Sequence, residues 1–165
     1  MLVEKFDQFS KDRLCRVIVV DDHAPLRWAT CRLIELEGFD VRGAASGEAA
    51  LNALKRSPAD LLVTDIVMPG YHGLALARRA AMIQPSVRLL FMSAYTNGCF
   101  ADAGITPAVE LPDDHFLLKP FSKAQLLERI EGVLHAPAGL HWDGPARIER
   151  AAHVDALDDD FGRLA

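Results

Sequence analysis

Three aspartates and a lysine stand at the ends of short apolar runs in this 165-residue chain. Asp21 and Asp22 follow Arg16-Val17-Ile18-Val19-Val20, Asp65 closes Leu61-Leu62-Val63-Thr64, and Lys119 follows Phe116-Leu117-Leu118. Short apolar runs bounded by turn residues read as buried strands, so all four groups fall at carboxyl ends of strands. In an open α/β sheet that edge is where ligands bind. Carboxylates gathered there repel one another: two unit charges ~4 Å apart cost ~4 kcal/mol at an effective dielectric near 20. Such a pocket calls for a cation, and carboxylate and carbonyl oxygens suit Mg²⁺, which keeps several waters and favours a phosphate ligand. Lys119 adds a positive charge on a flexible stem, able to meet Asp65 or an added phosphoryl group. Ser93, at the end of a further apolar run, adds a hydroxyl able to bond a phosphoryl oxygen. A carboxylate nucleophile beside Mg²⁺ and an ammonium is equipped for acyl-phosphate chemistry.

The elements that must position these groups alternate between strand and helix patterns, which predicts βα units and a parallel sheet. The first strand is Arg16 to Val20. A helix follows from near Pro25, with Leu26, Ala29, Leu33 and Leu36 as its apolar stripe and Gly38 closing it. Phe39 to Gly43 reads as the second strand. Ser46 is the expected N-cap of a second helix, with Ala49, Ala50, Ala53 and Leu54 facing inward. Asp60 to Asp65 is the third strand, a helix through Leu74, Ala77 and Ala81 stops before Pro85, and Val87 to Ser93 is the fourth strand. Between Ser93 and Phe116 the helical period is poor and Gly98, Gly104, Pro107 and Pro112 interrupt it, so any helix there is expected to be short or broken. Phe116 to Leu118 is the fifth strand. Ser122 and Gln125 then form a capping-box signature ahead of a last helix carrying Leu126, Leu127, Ile130, Val133 and Leu134. The expected fold is a five-stranded parallel α/β sheet, doubly wound, of the flavodoxin-like (βα)5 kind.

Half of the residues are apolar and a quarter charged, the balance of a soluble fold with a real core. A net charge of −5 argues against direct nucleic-acid binding, which needs a clustered basic surface. Arg78-Arg79 reads as a solvated helix face. No apolar stretch is long enough to span a bilayer, and Met1 to Asp7 lacks the apolar core of a secretory signal. Cys15, Cys31 and Cys99 are widely spaced, as expected of reduced thiols in a cytoplasmic protein. The expected organisation is an extension over 1–14, one domain over 15–136, and a tail over 137–165 too small to fold as an independent output domain.

Four motifs together resemble the receiver domain of two-component response regulators: Val19-Val20-Asp21-Asp22, Thr64-Asp65-Ile66-Val67-Met68-Pro69-Gly70, Met92-Ser93-Ala94 and Lys119-Pro120-Phe121. They stand in that family's order over about Arg16 to Ala136. The resemblance implies that Asp65 accepts a phosphoryl group from phosphohistidine. It implies Mg²⁺ held by Asp22, Asp65 and the backbone carbonyl of Val67, with Asp21 holding a metal-bound water. Ser93 and Lys119 match the groups that bind the phosphoryl oxygens, and Phe116 the aromatic switch that acts with Ser93. Lys119-Pro120 matches a peptide the family keeps cis, and Gly73 the glycine after the phosphorylated loop. Val67 and Tyr95 lie where the family tunes water access to phosphoaspartate, and their bulk implies slow self-dephosphorylation. The stretch from Ser93 to Lys119 is a few residues longer than usual, which leaves the route of output open.

The reading is a stand-alone receiver, not an enzyme in its own right. Its implied partners are a sensor histidine kinase or histidine phosphotransfer protein, with output through residues 96–136 to another copy of the chain or to an effector protein. Two rivals stand beside it. A receiver-shaped scaffold would bind its partner without phosphorylation. A haloacid-dehalogenase-type phosphatase would want Asp-x-Asp after its first strand, whereas Asp21 and Asp22 are adjacent and Asp65 has Val67 two residues on. His23 reads as solvent-facing, since the candidate ligands are otherwise all oxygen. Trp28 and Trp142 are expected to pack in the ordinary way.

Overall fold

A computed structural model describes residues 14–70, 72–94 and 113–136. Expectations for the leader, for 95–112 with Tyr95 and Cys99, and for the tail with Trp142 lie outside the described residues. The strands are β1 (Arg16–Val20), β2 (Asp40–Ala44), β3 (Leu61–Asp65), β4 (Arg88–Ser93) and β5 (Phe116–Leu118). The α-helices among the described residues are α1 (Ala24–Glu35), α2 (Gly47–Arg56), α3 (Gly73–Ile83) and α4 (Lys123–His135), and a 3-10 turn over Asp113–His115 precedes β5. All strand pairs are parallel, in the order β2-β1-β3-β4-β5. The expected doubly wound sheet is therefore present.

Strand composition explains this order. β3 is buried along its whole length, and in β1 only Arg16 escapes full burial, as suits strands covered by helices on both faces. β2 at one edge keeps only Ala44 fully buried. One face of the sheet packs Ile18, Val20, Leu62 and Phe91 against Leu54 of α2 and Leu76 of α3. The other packs Val17, Val19, Leu61 and Met92 against Ile34 of α1 and Leu126 and Ile130 of α4. In α4, Leu126, Ile130, Val133 and Leu134 form the buried stripe, each contributing about 1.5–3 kcal/mol of burial.

Helix ends follow the sequence signals. Ser46 Oγ accepts from Ala49 N–H at 3.2 Å, and Ser122 with Gln125 completes a reciprocal capping box. Gly38, at φ 94°, turns the chain out of α1 in a backbone conformation that favours glycine. The second strand begins at Asp40 rather than Phe39, because its ladder opens with Asp40 N–H on Cys15 O at 3.0 Å. Three packing expectations fail. Leu36, expected in the apolar stripe of α1, is 53% exposed, because it stands at the C-cap where the helix has run past the sheet. Ala49 is exposed, since the stripe of Gly47, Ala50, Leu51 and Leu54 leaves it past the edge. Trp28 is 71% exposed, because α1 faces the sheet through Thr30 and Ile34 and Trp28 stands on its far side. No helix among the described residues is long and apolar enough to cross a membrane.

Candidate functional site

Parallel register brings the acids level. Val20 pairs with Thr64 and Asp65 with Met92, so Asp21 and Asp65 leave the same edge of the sheet from neighbouring central strands. Asp21 is fully buried, Asp22 exposed and Asp65 nearly buried. One carboxylate oxygen from each of the three falls within 4.8 Å of the others.

The turn after β1 is bent back on itself: His23 N–H donates to Asp21 Oδ1 at 2.8 Å, an Asx turn. His23 then caps α1, its Nδ1 accepting from Leu26 N–H at 3.4 Å, and it is exposed as expected. After β3, Val67 N–H donates to Asp65 Oδ1 at 3.1 Å, and Val67 is half-buried. Gly70 turns the loop at φ 70°. Gly73 starts α3 hard against the loop, its N–H on Ile66 O at 2.9 Å. A Cβ there would stand 2.1 Å from the carbonyl oxygen of Asp65, so only glycine fits.

Lys119 closes the pocket from β5. Its N–H donates to Ser93 O at 2.7 Å and its peptide to Pro120 is cis. Its ammonium donates to Asp21 Oδ2 at 2.9 Å and to Asp65 Oδ2 at 2.5 Å. Ser93 is fully buried at the end of β4. Phe116 is half-buried at the start of β5 and packs against the core on the α2 and α3 side. The sequence-derived groups thus converge on one edge, with Phe116 at the far end of its strand.

The electrostatics follow from counting charges. Burial pushes the Asp65 carboxyl above the usual carboxylate range, and the Asp21 charge adds to this, while Lys119 and the Val67 N–H pull against it. For Lys119 burial works to depress the ammonium, but its bonds to Asp65 and Asp21 outweigh burial and raise it. One ammonium is shared between two carboxylates, with Asp22 close by, so the pocket keeps an excess of negative charge. That excess and the all-oxygen donor set fit a hard divalent cation such as Mg²⁺.

Sequence reasoning missed two groups. Arg27 Nη1 donates to the backbone carbonyl of Asp21 at 2.6 Å, and Thr64 Oγ1 donates to the carbonyl of Asp65 at 2.9 Å. Arg27 stands one turn into α1, which begins at Ala24, but nothing along the chain marks a backbone carbonyl as its partner.

The sequence model of the response regulator receiver domain matches residues 17–131. The chain belongs to that family. This receiver is 34% identical to the response regulator receiver protein CpdR of Brucella abortus, over 73% of this chain and 98% of CpdR. It is 32% identical to the sensor kinase CckA of the same organism, over 72% of this chain but only 12% of CckA. The solved receiver domain of a hybrid histidine kinase CckA is 30% identical, with a TM-score of 0.58, over 72% of this chain and 98% of that domain. The chemotaxis protein CheY4 of Vibrio cholerae shares the fold at a TM-score of 0.62 and 23% identity, over 74% of this chain and 100% of that one.

Proposed function

We propose that this receiver takes a phosphoryl group onto Asp65 from the phosphohistidine of a sensor histidine kinase or a histidine phosphotransfer protein. The observation that carries the reading is the ammonium of Lys119 bonded at once to Asp21 and Asp65, with Asp22 within 4.8 Å of both acids. Asp22, Asp65, the carbonyl of Val67 and, through water, Asp21 would hold Mg²⁺, which when bound draws charge off the transferring group. Positioning and charge compensation supply nearly all of the catalysis in such transfers. The P–N bond to the donor imidazole breaks, its electron pair staying on nitrogen, as a P–O bond to an Asp65 carboxylate oxygen forms. Lys119 then follows the new negative charge onto a phosphoryl oxygen, and the Ser93 hydroxyl donates to another. Phe116 responds to the vacated space as the aromatic switch.

The phosphoryl group carries roughly −1.5 to −2 charge but replaces the single charge of the Asp65 carboxylate, so a pocket already rich in negative charge gains up to ~1 more, which biases a two-state surface. Output on this reading is a protein contact through residues 96–136, with a second copy or an effector. The match over 98% of CpdR supports a regulator working as a receiver over 15–136. No steady turnover of phosphomonoesters is expected. Incubation with a small phosphodonor and Mg²⁺, read by intact mass, tests the assignment. Wild type gains one phosphoryl group and Asp65→Asn gains none; labelling that survives in Asp65→Asn would overturn it.

A further inference from the structure

The acid pair after β1 is clamped from α1. Arg27 Nη1 donates at 2.6 Å to the carbonyl of Asp21, the oxygen of the peptide that joins Asp21 to Asp22. The Arg27 backbone N–H closes on His23 O at 3.0 Å. With His23 N–H on Asp21 Oδ1 and Asp21 N–H on Ala44 O, the turn is tied on every side. Rotation of the 21–22 peptide would swing the Asp22 carboxylate away from those of Asp21 and Asp65, and the guanidinium opposes that rotation. It binds a carbonyl, so it leaves the carboxylate oxygens to a cation.

The clamp depends on a bare patch of β2. A Cβ at Gly43 would stand 3.5 Å from both Cγ and Cδ of Arg27 and 3.3 Å from Cys31 Sγ. The stem of Arg27 therefore lies beside the backbone at Gly43, where a lone Cβ would make ordinary contact with it and press on Cys31 Sγ, and the further methyls of a branched side chain would meet the stem. We infer that Arg27 is a positioning residue for the divalent cation: it orients the Asp21–Asp22 peptide so that both carboxylates converge with Asp65, and Gly43 gives it the room. This rests on the phosphoacceptor reading above, in which those acids serve one cation.

The test is Mg²⁺ titration by calorimetry on the full chain, with amide hydrogen exchange over residues 21–23 measured without metal. Arg27→Ala should weaken Mg²⁺ about tenfold, the lower end of what loss of an outer-shell partner costs a metal site, and should speed exchange at His23. Arg27→Lys, which keeps the charge but not the planar fork, should still bind more weakly than wild type. Gly43→Val should weaken Mg²⁺ by itself yet add nothing in the Arg27→Ala background, the signature of two residues acting as one unit. Unchanged affinity and exchange in Arg27→Ala would overturn the inference, as would full rescue by Arg27→Lys or additive losses in the double variant. If Arg27→Ala fails to fold, Arg27→Lys and Gly43→Val decide. Wild-type chain that takes up no Mg²⁺ would sink the functional reading, and exchange at the turn would then decide the role of Arg27 by itself.

Discussion

The acid side and the lysine side of this site are held to different degrees. Asp21 leaves β1, which pairs with β2 and β3, and Asp65 ends β3, which pairs with β1 and β4. Backbone on both flanks fixes where those acids stand, and the turns beyond them are tied by His23, Val67 and Gly73. Lys119 follows β5, three residues long and, among the described residues, an edge strand paired only with β4. Its ammonium sits on a flexible stem and is placed as much by the acids it bonds as by its own strand. A rigid anionic floor beneath a movable cation suits the proposed transfer, in which the site accepts a bulky anion and then closes on it.

Four substitutions break or sharpen that contrast. Asp65→Asn has the largest expected effect, complete loss of the phosphoryl increment in intact mass with the fold retained by circular dichroism. On the rigid side, Gly73→Ala drives a methyl into the carbonyl of Asp65 and should cost about 3 kcal/mol in urea unfolding. A loss below about 1 kcal/mol would show that the β3 loop yields more easily than its contacts imply. On the movable side, Lys119→Met leaves two acids without their shared cation. Breaking a fully buried pair costs about 3–5 kcal/mol; with the pocket open beside exposed Asp22, about 2 kcal/mol is expected. Saturating Mg²⁺ should recover much of that loss, and a loss unaffected by Mg²⁺ would show that Lys119 does more than balance charge. Ser122→Ala removes the cap of α4 just beyond the lysine and should cost about 1 kcal/mol while leaving Mg²⁺ affinity unchanged by calorimetry. A fall in that affinity would mean the lysine depends on its helix more than the contrast allows.

Much of the fold was legible because its signals are local. The run Val17 to Val20 has no alternation and reads as a strand buried on both faces, and Ser122 with Gln125 marks a helix start by hydrogen bonds made within one turn. The acids and the lysine were legible because each sits directly after such a run. Several features escaped. Ala49 and Trp28 required the phase of each helix against the sheet, and small or aromatic residues do not declare that phase. Arg27 needed more: its partner is a backbone carbonyl and its room comes from Gly43 on another strand, so no side-chain pattern along the chain announces it.

The order of strands and helices, their bounds to within a residue or so, and the identity of the charged groups were thus settled by the order of residues alone, since each arises from neighbours a few positions apart. Only the folded sheet decided that Lys119 spans Asp21 and Asp65, that Gly73 lies against a carbonyl, and that Arg27 ties down the acid pair. Those are distances between segments far apart in the chain, and parallel register sets them.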